Sequence, residues 1–146
     1  MDLYQIDDDR RLFISPALDC WDAAAEHGID VVIDLDGGLD ACIPTDAGHC
    51  LYIYFHIIDD NEQLPPLAKL RAIARLGATL ITDGHCVLSH CGLGFNRSAL
   101  VAGMILVELG MTGAMALARI RERRPGALYN EGFAAFLEAQ NVALAV

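Results

Sequence analysis

Lysine is nearly missing from this chain: Lys69 is the single one among 146 residues. Ten basic residues face twenty acidic ones, for a formal charge of −10. A protein that grips a nucleic-acid backbone needs a basic face, so no nucleic-acid partner is expected. The one basic cluster is Arg119, Arg121, Arg123 and Arg124. It falls at the end of a predicted helix, where cations suit the dipole, and reads as a solvated helix end. No stretch is apolar enough to span a bilayer, and Met1-Asp2-Leu3 lacks the basic region and apolar core of a secretory signal, so no membrane association is expected. The five cysteines are odd in number and lack zinc-ligand spacing. That argues against a disulfide framework or a metal site and for a reducing compartment, with the cytoplasm as default. Repeats and linkers are also lacking. One domain over residues 1–146 is expected, and 54% hydrophobic residues are ample to fill its core.

What is present is His90-Cys91-Gly92-Leu93-Gly94-Phe95-Asn96-Arg97-Ser98. An apolar run leads into it and a long apolar stretch free of proline follows. The segment therefore reads as a strand, a tight loop and a helix. At the helix N-terminus, free N–H groups and the dipole favour an anion. A cysteine placed there beside an arginine is held more readily as the thiolate nucleophile. Arg97 offers a planar fork for two phosphoryl oxygens. Gly92 and Gly94 let the loop curl so that the amides of Gly92, Leu93, Gly94, Phe95, Asn96 and Arg97 point inward around a phosphate. Ser98 can donate its hydroxyl to Cys91, and His90 reads as an anchor for the loop. Cys20, Cys42, Cys50 and Cys86 read as small structural hydrophobes. Cys86 and Cys91, five apart on one strand, are poorly placed for a direct disulfide.

From about Leu51 to Phe136, and more loosely back to Leu12, the chain resembles the cysteine-dependent protein tyrosine phosphatases, most closely their compact dual-specificity branch. Arg124-Pro125, Asn130 and Phe133 are similar to that family's C-terminal pattern; Asn96 departs from the glycine of many tyrosine-specific members. The resemblance implies a cysteinyl-phosphate intermediate and no metal or other cofactor, with Cys91 as nucleophile, Arg97 as phosphate clamp and Ser98 as thiolate stabiliser. It also implies a mobile aspartate acid about thirty residues before the cysteine. Tyr52 to Ile58 ends in Asp59-Asp60, thirty-two and thirty-one residues before Cys91. A carboxyl there would protonate the leaving oxygen and later activate water. Asp59 is favoured because it follows the strand directly, with Asp60 the alternative.

Strands are predicted at Leu12-Phe13-Ile14, Ile29 to Leu35, Leu51 to Ile57 and Cys86 to His90. Helices are predicted over about 16–27, from Pro65-Pro66 onward, and over 98–109, 113–123 and 131–142, with Thr112 and Asn130 as caps. In the second of these, Leu67, Leu70, Ile73, Ala74, Leu76 and Leu80 recur at helical spacing. Such alternation predicts a single α/β domain whose mostly parallel sheet of about four to five strands is flanked by helices. Ligands of such sheets bind at the carboxyl ends of strands, where Cys91 and Asp59 should both emerge.

Val31 to Gly37 also resembles the first motif of the haloacid dehalogenase-like phosphotransferases. That reading fails for want of the following threonine and a later acidic pair. The bland account is a buried strand running into an Asp-Gly turn, whose acids should lie near the catalytic edge and discourage highly anionic substrates. The expected substrate is a phosphorylated protein or peptide carrying phosphotyrosine, extending to phosphoserine and phosphothreonine. The alternatives are an RNA 5′-triphosphatase, a phosphoinositide phosphatase, and a non-enzymatic phosphate-binding pseudophosphatase. The oligomeric state is left open.

Overall fold

A computed structural model describes residues 2–141. The final residue of the anticipated last helix, 142, lies outside the described residues. Ten elements follow in chain order: β1 (Tyr4–Gln5), β2 (Leu12–Ser15), α1 (Asp22–Glu26), β3 (Val31–Asp34), β4 (Leu51–Tyr54), α2 (Leu67–Thr82), β5 (Val87–His90), α3 (Arg97–Glu108), α4 (Gly113–Arg123) and α5 (Glu131–Glu138). They form one five-stranded sheet in the order β1-β2-β5-β3-β4, flanked by helices. Only β1 runs antiparallel to its neighbour; the other pairings are parallel. The register sets Ser15 opposite His90, His90 opposite Asp34, and Asp34 opposite Tyr54. The four parallel strands thus finish in one row, and the loops that leave them share one edge.

β2, β3 and β5 are buried at every position. Continuous burial is what a parallel sheet covered on both faces produces. α3 is buried continuously from Ser98 to Val107, as befits a helix that is apolar all round. It packs against α2, where a Cβ on Gly77 would come within 2.6 Å of Ile105. α4 and α5 begin as predicted: Thr112 Oγ1 accepts the Met115 N–H at 3.2 Å and Asn130 Oδ1 accepts that of Phe133 at 3.0 Å. Each cap contributes about 1 kcal/mol.

Several expectations are corrected. α1 is five residues long and begins after Trp21, not at Pro16. Ser15 is the last residue of β2, and the chain beyond it is used by the cysteine loop: Ala17 N–H donates to Gly92 O at 3.2 Å. α2 buries Leu70, Ala74, Gly77 and Ala78, while Leu67 and Leu76 are exposed. Cys20 and Cys42 lie exposed and Cys50 is half-buried, so only Cys86 behaves as the buried hydrophobe expected of all four. No helix among the described residues is long and apolar enough to cross a membrane.

Candidate active site

Cys91 leaves the end of β5 and is 2% exposed. Its sulfur is approached from within its own loop: Gly94 N–H donates to Sγ at 3.3 Å, and Ser98 Oγ lies 3.3 Å from it. Gly94 makes that curl possible for two reasons. Its φ is +74°, and a Cβ there would lie 2.8 Å from the backbone of Ser15 and Pro16. Gly92 is tight instead of twisted, since a Cβ would stand 3.2 Å from Arg97 Nη2. A small cavity of about 40 Å³ is lined by Asp59, Cys91, Leu93, Phe95, Asn96, Arg97 and Tyr129.

Arg97 opens α3. Its Nη1 donates to Ile57 O at 3.1 Å and to Leu35 O at 3.5 Å, and its Nη2 lies 3.3 Å from Asp36 Oδ1. The guanidinium is thus fixed by the chain leaving β3 and β4. Asp59 is held from both sides: Asn96 Nδ2 donates to Oδ2 at 2.9 Å and Asn130 Nδ2 to Oδ1 at 2.6 Å. Asn96 Oδ1 in turn accepts the Asn130 N–H at 2.9 Å. Asp60 turns elsewhere, accepting the Glu62 N–H at 2.8 Å, and does not line the cavity. The structure therefore brings Cys91, Arg97, Ser98 and Asp59 together and leaves Asp60 aside.

The outer side of the loop is claimed by the segment after α4. Arg124 donates to Leu93 O and Gly94 O, each at 3.2 Å. Its guanidinium carbon sits 3.8 Å from the Phe95 ring centroid and 4.2 Å from that of Tyr4, whose hydroxyl accepts from Nη1 at 2.9 Å. Leu128, buried with φ +60°, donates its N–H to Phe95 O at 2.8 Å. Arg121 accompanies it, donating to Ala127 O and Leu128 O, while Arg123 reaches Asp8. The solvated helix end expected of this cluster is thereby overturned. The family pattern of Arg124-Pro125 was the only sequence signal for it, because its stacking partner Tyr4 lies 120 residues away.

Beneath the loop, His90 Nε2 lies 2.6 Å from Asp40 Oδ2 and 3.7 Å from Asp34 Oδ1. Tyr52 donates its hydroxyl to Asp34 and accepts the Asp40 N–H at 2.9 Å. Burial pushes the Asp40 carboxyl above the usual range, outweighing the pull of His90. Burial, then the bond to Asp34, likewise raises the Tyr52 hydroxyl. Asp34, Asp40 and His90 place three potential metal-ligand atoms within 4.8 Å. They are already joined to one another or to Tyr52 by hydrogen bonds, so the group reads as a bracket for His90 at the start of the loop. A proton on Nε2, assigned from the approach to Asp40, leaves the partnerless Nδ1 an acceptor and not an orphaned donor. Sequence reading anticipated the anchoring histidine but neither Asp40 as its partner nor Tyr52 as the brace for Asp40 and Asp34.

Fold and pocket together define an α/β phosphatase domain with its site on the carboxyl edge of a parallel sheet. The sequence model of the dual specificity phosphatase catalytic domain matches residues 13–142, and the chain belongs to that family. Human DUSP28 is similar in structure, with a TM-score of 0.77 at 22% identity over 93% of this chain and 90% of that one. The Yvh1 phosphatase domain from Chaetomium thermophilum gives 0.75 at 23% over 94% of each. PTPMT1, solved in complex with PI(5)P, gives 0.78 at 16% over 93% of this chain and 92% of that chain. At these identities the likeness establishes the fold alone. No curated protein matches in sequence.

Proposed function

We propose that this protein is a cysteine-dependent phosphatase that hydrolyses phosphotyrosine in proteins or peptides, with phosphoserine and phosphothreonine as further substrates. The observation that carries the reading is the Cys91 sulfur, met at 3.3 Å by both Gly94 N–H and Ser98 Oγ in a cavity shared with Arg97 and Asp59. The Cys91 thiolate attacks phosphorus and the bond to the ester oxygen breaks. Asp59 gives that oxygen its proton. The loop amides and Arg97 hold the equatorial oxygens as charge spreads. Water then attacks the cysteinyl phosphate, Asp59 takes its proton, and sulfur departs toward the Ser98 hydroxyl. No metal or cofactor enters this scheme. Leu93 and Tyr129, 67% and 62% exposed, give the mouth apolar walls suited to an aryl ester or peptide.

Cys91→Ser should abolish turnover of an aryl phosphate while phosphate still binds, and mass spectrometry of quenched wild-type enzyme should find phosphate on Cys91. Full turnover by Cys91→Ser would refute the assignment, and binding without turnover in the wild type would leave only the pseudophosphatase. Asp59→Asn should slow phenyl phosphate by about a hundredfold or more, the usual scale of general-acid catalysis, and an ester of a very acidic phenol far less. Equal losses would remove Asp59 from the acid role, and selective loss in Asp60→Asn alone would transfer it.

A further inference from the structure

Asp36 stands where a phosphatase has least use for a negative charge. Its Oδ1 lies 3.3 Å from Arg97 Nη2, and both its oxygens lie 3.6 Å from the point a side chain on Gly92 would occupy. The carboxylate is therefore beside the clamp and against the first residue after Cys91. Its side chain is 37% exposed and that of Arg97 17%, so the pair sits at the mouth and not in the core. Arg97 is otherwise held by two neutral carbonyls, and Asp36 is its one charged partner among the described residues. Among the described residues no cation other than Arg97 pairs with the acid. The five residues between Cys91 and Arg97 carry no charge. Arg124 is engaged by the Leu93 and Gly94 carbonyls and stacked between two rings.

We propose that Asp36 is a specificity-determining charge filter, which rests on the phosphatase reading above. It tunes the site to phosphomonoesters with no second anion near the scissile phosphate, and it disfavours pyrophosphates, polyphosphate ends and closely spaced phosphates. A neighbouring dianion about 6 Å from Asp36 in water-like surroundings is repelled enough to cost about tenfold in affinity. Because the mouth is open, salt weakens the effect.

The test compares kcat/KM for a phosphotyrosine peptide with that for the same peptide carrying a phosphothreonine two residues away. Wild type should favour the singly phosphorylated peptide about tenfold at low salt, and less at an ionic strength on the order of 0.5 M. Asp36→Asn and Asp36→Ala should both cut the preference to about threefold or less and weaken its dependence on salt. An unchanged preference in both variants overturns the proposal, as does a wild-type preference for the doubly phosphorylated peptide. A change in the alanine variant alone also overturns it, because that is a steric effect. Calorimetry on Cys91→Ser protein makes the outcome independent of turnover: adding Asp36→Asn should tighten pyrophosphate binding several-fold more than orthophosphate binding. If neither peptide is hydrolysed, the phosphatase reading falls while this binding ratio still decides on Asp36; an unaltered ratio overturns the filter.

Discussion

Replacing Arg124 by alanine tests whether the loop's outward side is as necessary as its inward one. The change removes hydrogen bonds to Leu93 O and Gly94 O at 3.2 Å and to the Tyr4 hydroxyl at 2.9 Å. It also removes stacking on Phe95 and Tyr4. At a half-buried site each hydrogen bond contributes about 0.5–1 kcal/mol and each stack about 0.5–1 kcal/mol. Allowing for overlap, the loss is roughly 3 kcal/mol, or about 10 °C in Tm for a chain of this length. The catalytic effect is separate. Carbonyls released from Arg124 can rotate, and the amides attached to them turn away from the phosphate. A displacement on the order of 1 Å costs about a hundredfold in rate. Steady-state kinetics on an aryl phosphate, well below the variant's Tm, should show kcat down by about that factor even though the protein is folded. Arg124→Lys should recover part of the stability but little of kcat, because an ammonium cannot fork to two carbonyls. A folded Arg124→Ala protein with kcat within about threefold of wild type would refute the reasoning.

Gly132 in α5 abuts the acid loop, since a Cβ there would lie 2.2 Å from Asn61 O. Gly132→Ala should displace Asp59 and slow esters of weakly acidic phenols more than activated ones; a uniform loss would point to general misfolding instead. Burial pushes the Cys86 thiol from its ordinary 9.0 up to about 11, with Asp30 and Asp7 adding to it. Folding therefore keeps the thiol protonated, so its contribution is intact below pH 9 and is lost as pH rises toward 11. Wild type should lose about 2–3 kcal/mol of denaturant stability over that interval more than Cys86→Ala does. Parallel curves would show that the thiol does not titrate in this way.

The sequence made legible what short-range chemistry decides. Apolar runs marked the four parallel strands, although β3 and β4 are shorter than the runs Ile29 to Leu35 and Leu51 to Ile57. Thr112 and Asn130 marked two helix starts because a cap acts within three residues. The cysteine loop was legible because its glycines, arginine and serine are contiguous. What escaped depends on partners distant in sequence. β1 is two residues long and exists through its pairing with β2. Ser15-Pro16 carries a helix-start signal, yet the cysteine loop packs across that backbone and the helix is delayed to Asp22. Asp40 meets His90 from fifty positions away in sequence, and Tyr52 braces Asp40 and Asp34 from twelve and eighteen positions away. Periodicity in α2 counted Leu67 and Leu76 toward the core because it cannot tell a buried stripe from its margin.

The arrangement around the loop also suits the proposed anion site in so acidic a chain. A loop whose amides all converge must send its carbonyls the other way, and unpaired buried carbonyls are costly. Here Arg124 takes Leu93 O and Gly94 O, Leu128 N–H takes Phe95 O, and Ala17 N–H takes Gly92 O. With those acceptors engaged the loop backbone is held from outside, and the Gly94 N–H already points at the Cys91 sulfur. Asn96 then couples this frame to the acid, since its Nδ2 holds Asp59 while its Oδ1 is held by Asn130 N–H. Asn130 closes the circuit by capping α5 and holding the other Asp59 oxygen. On the proposed reading, the segment 124–130 therefore belongs to the site as physically as the loop it backs.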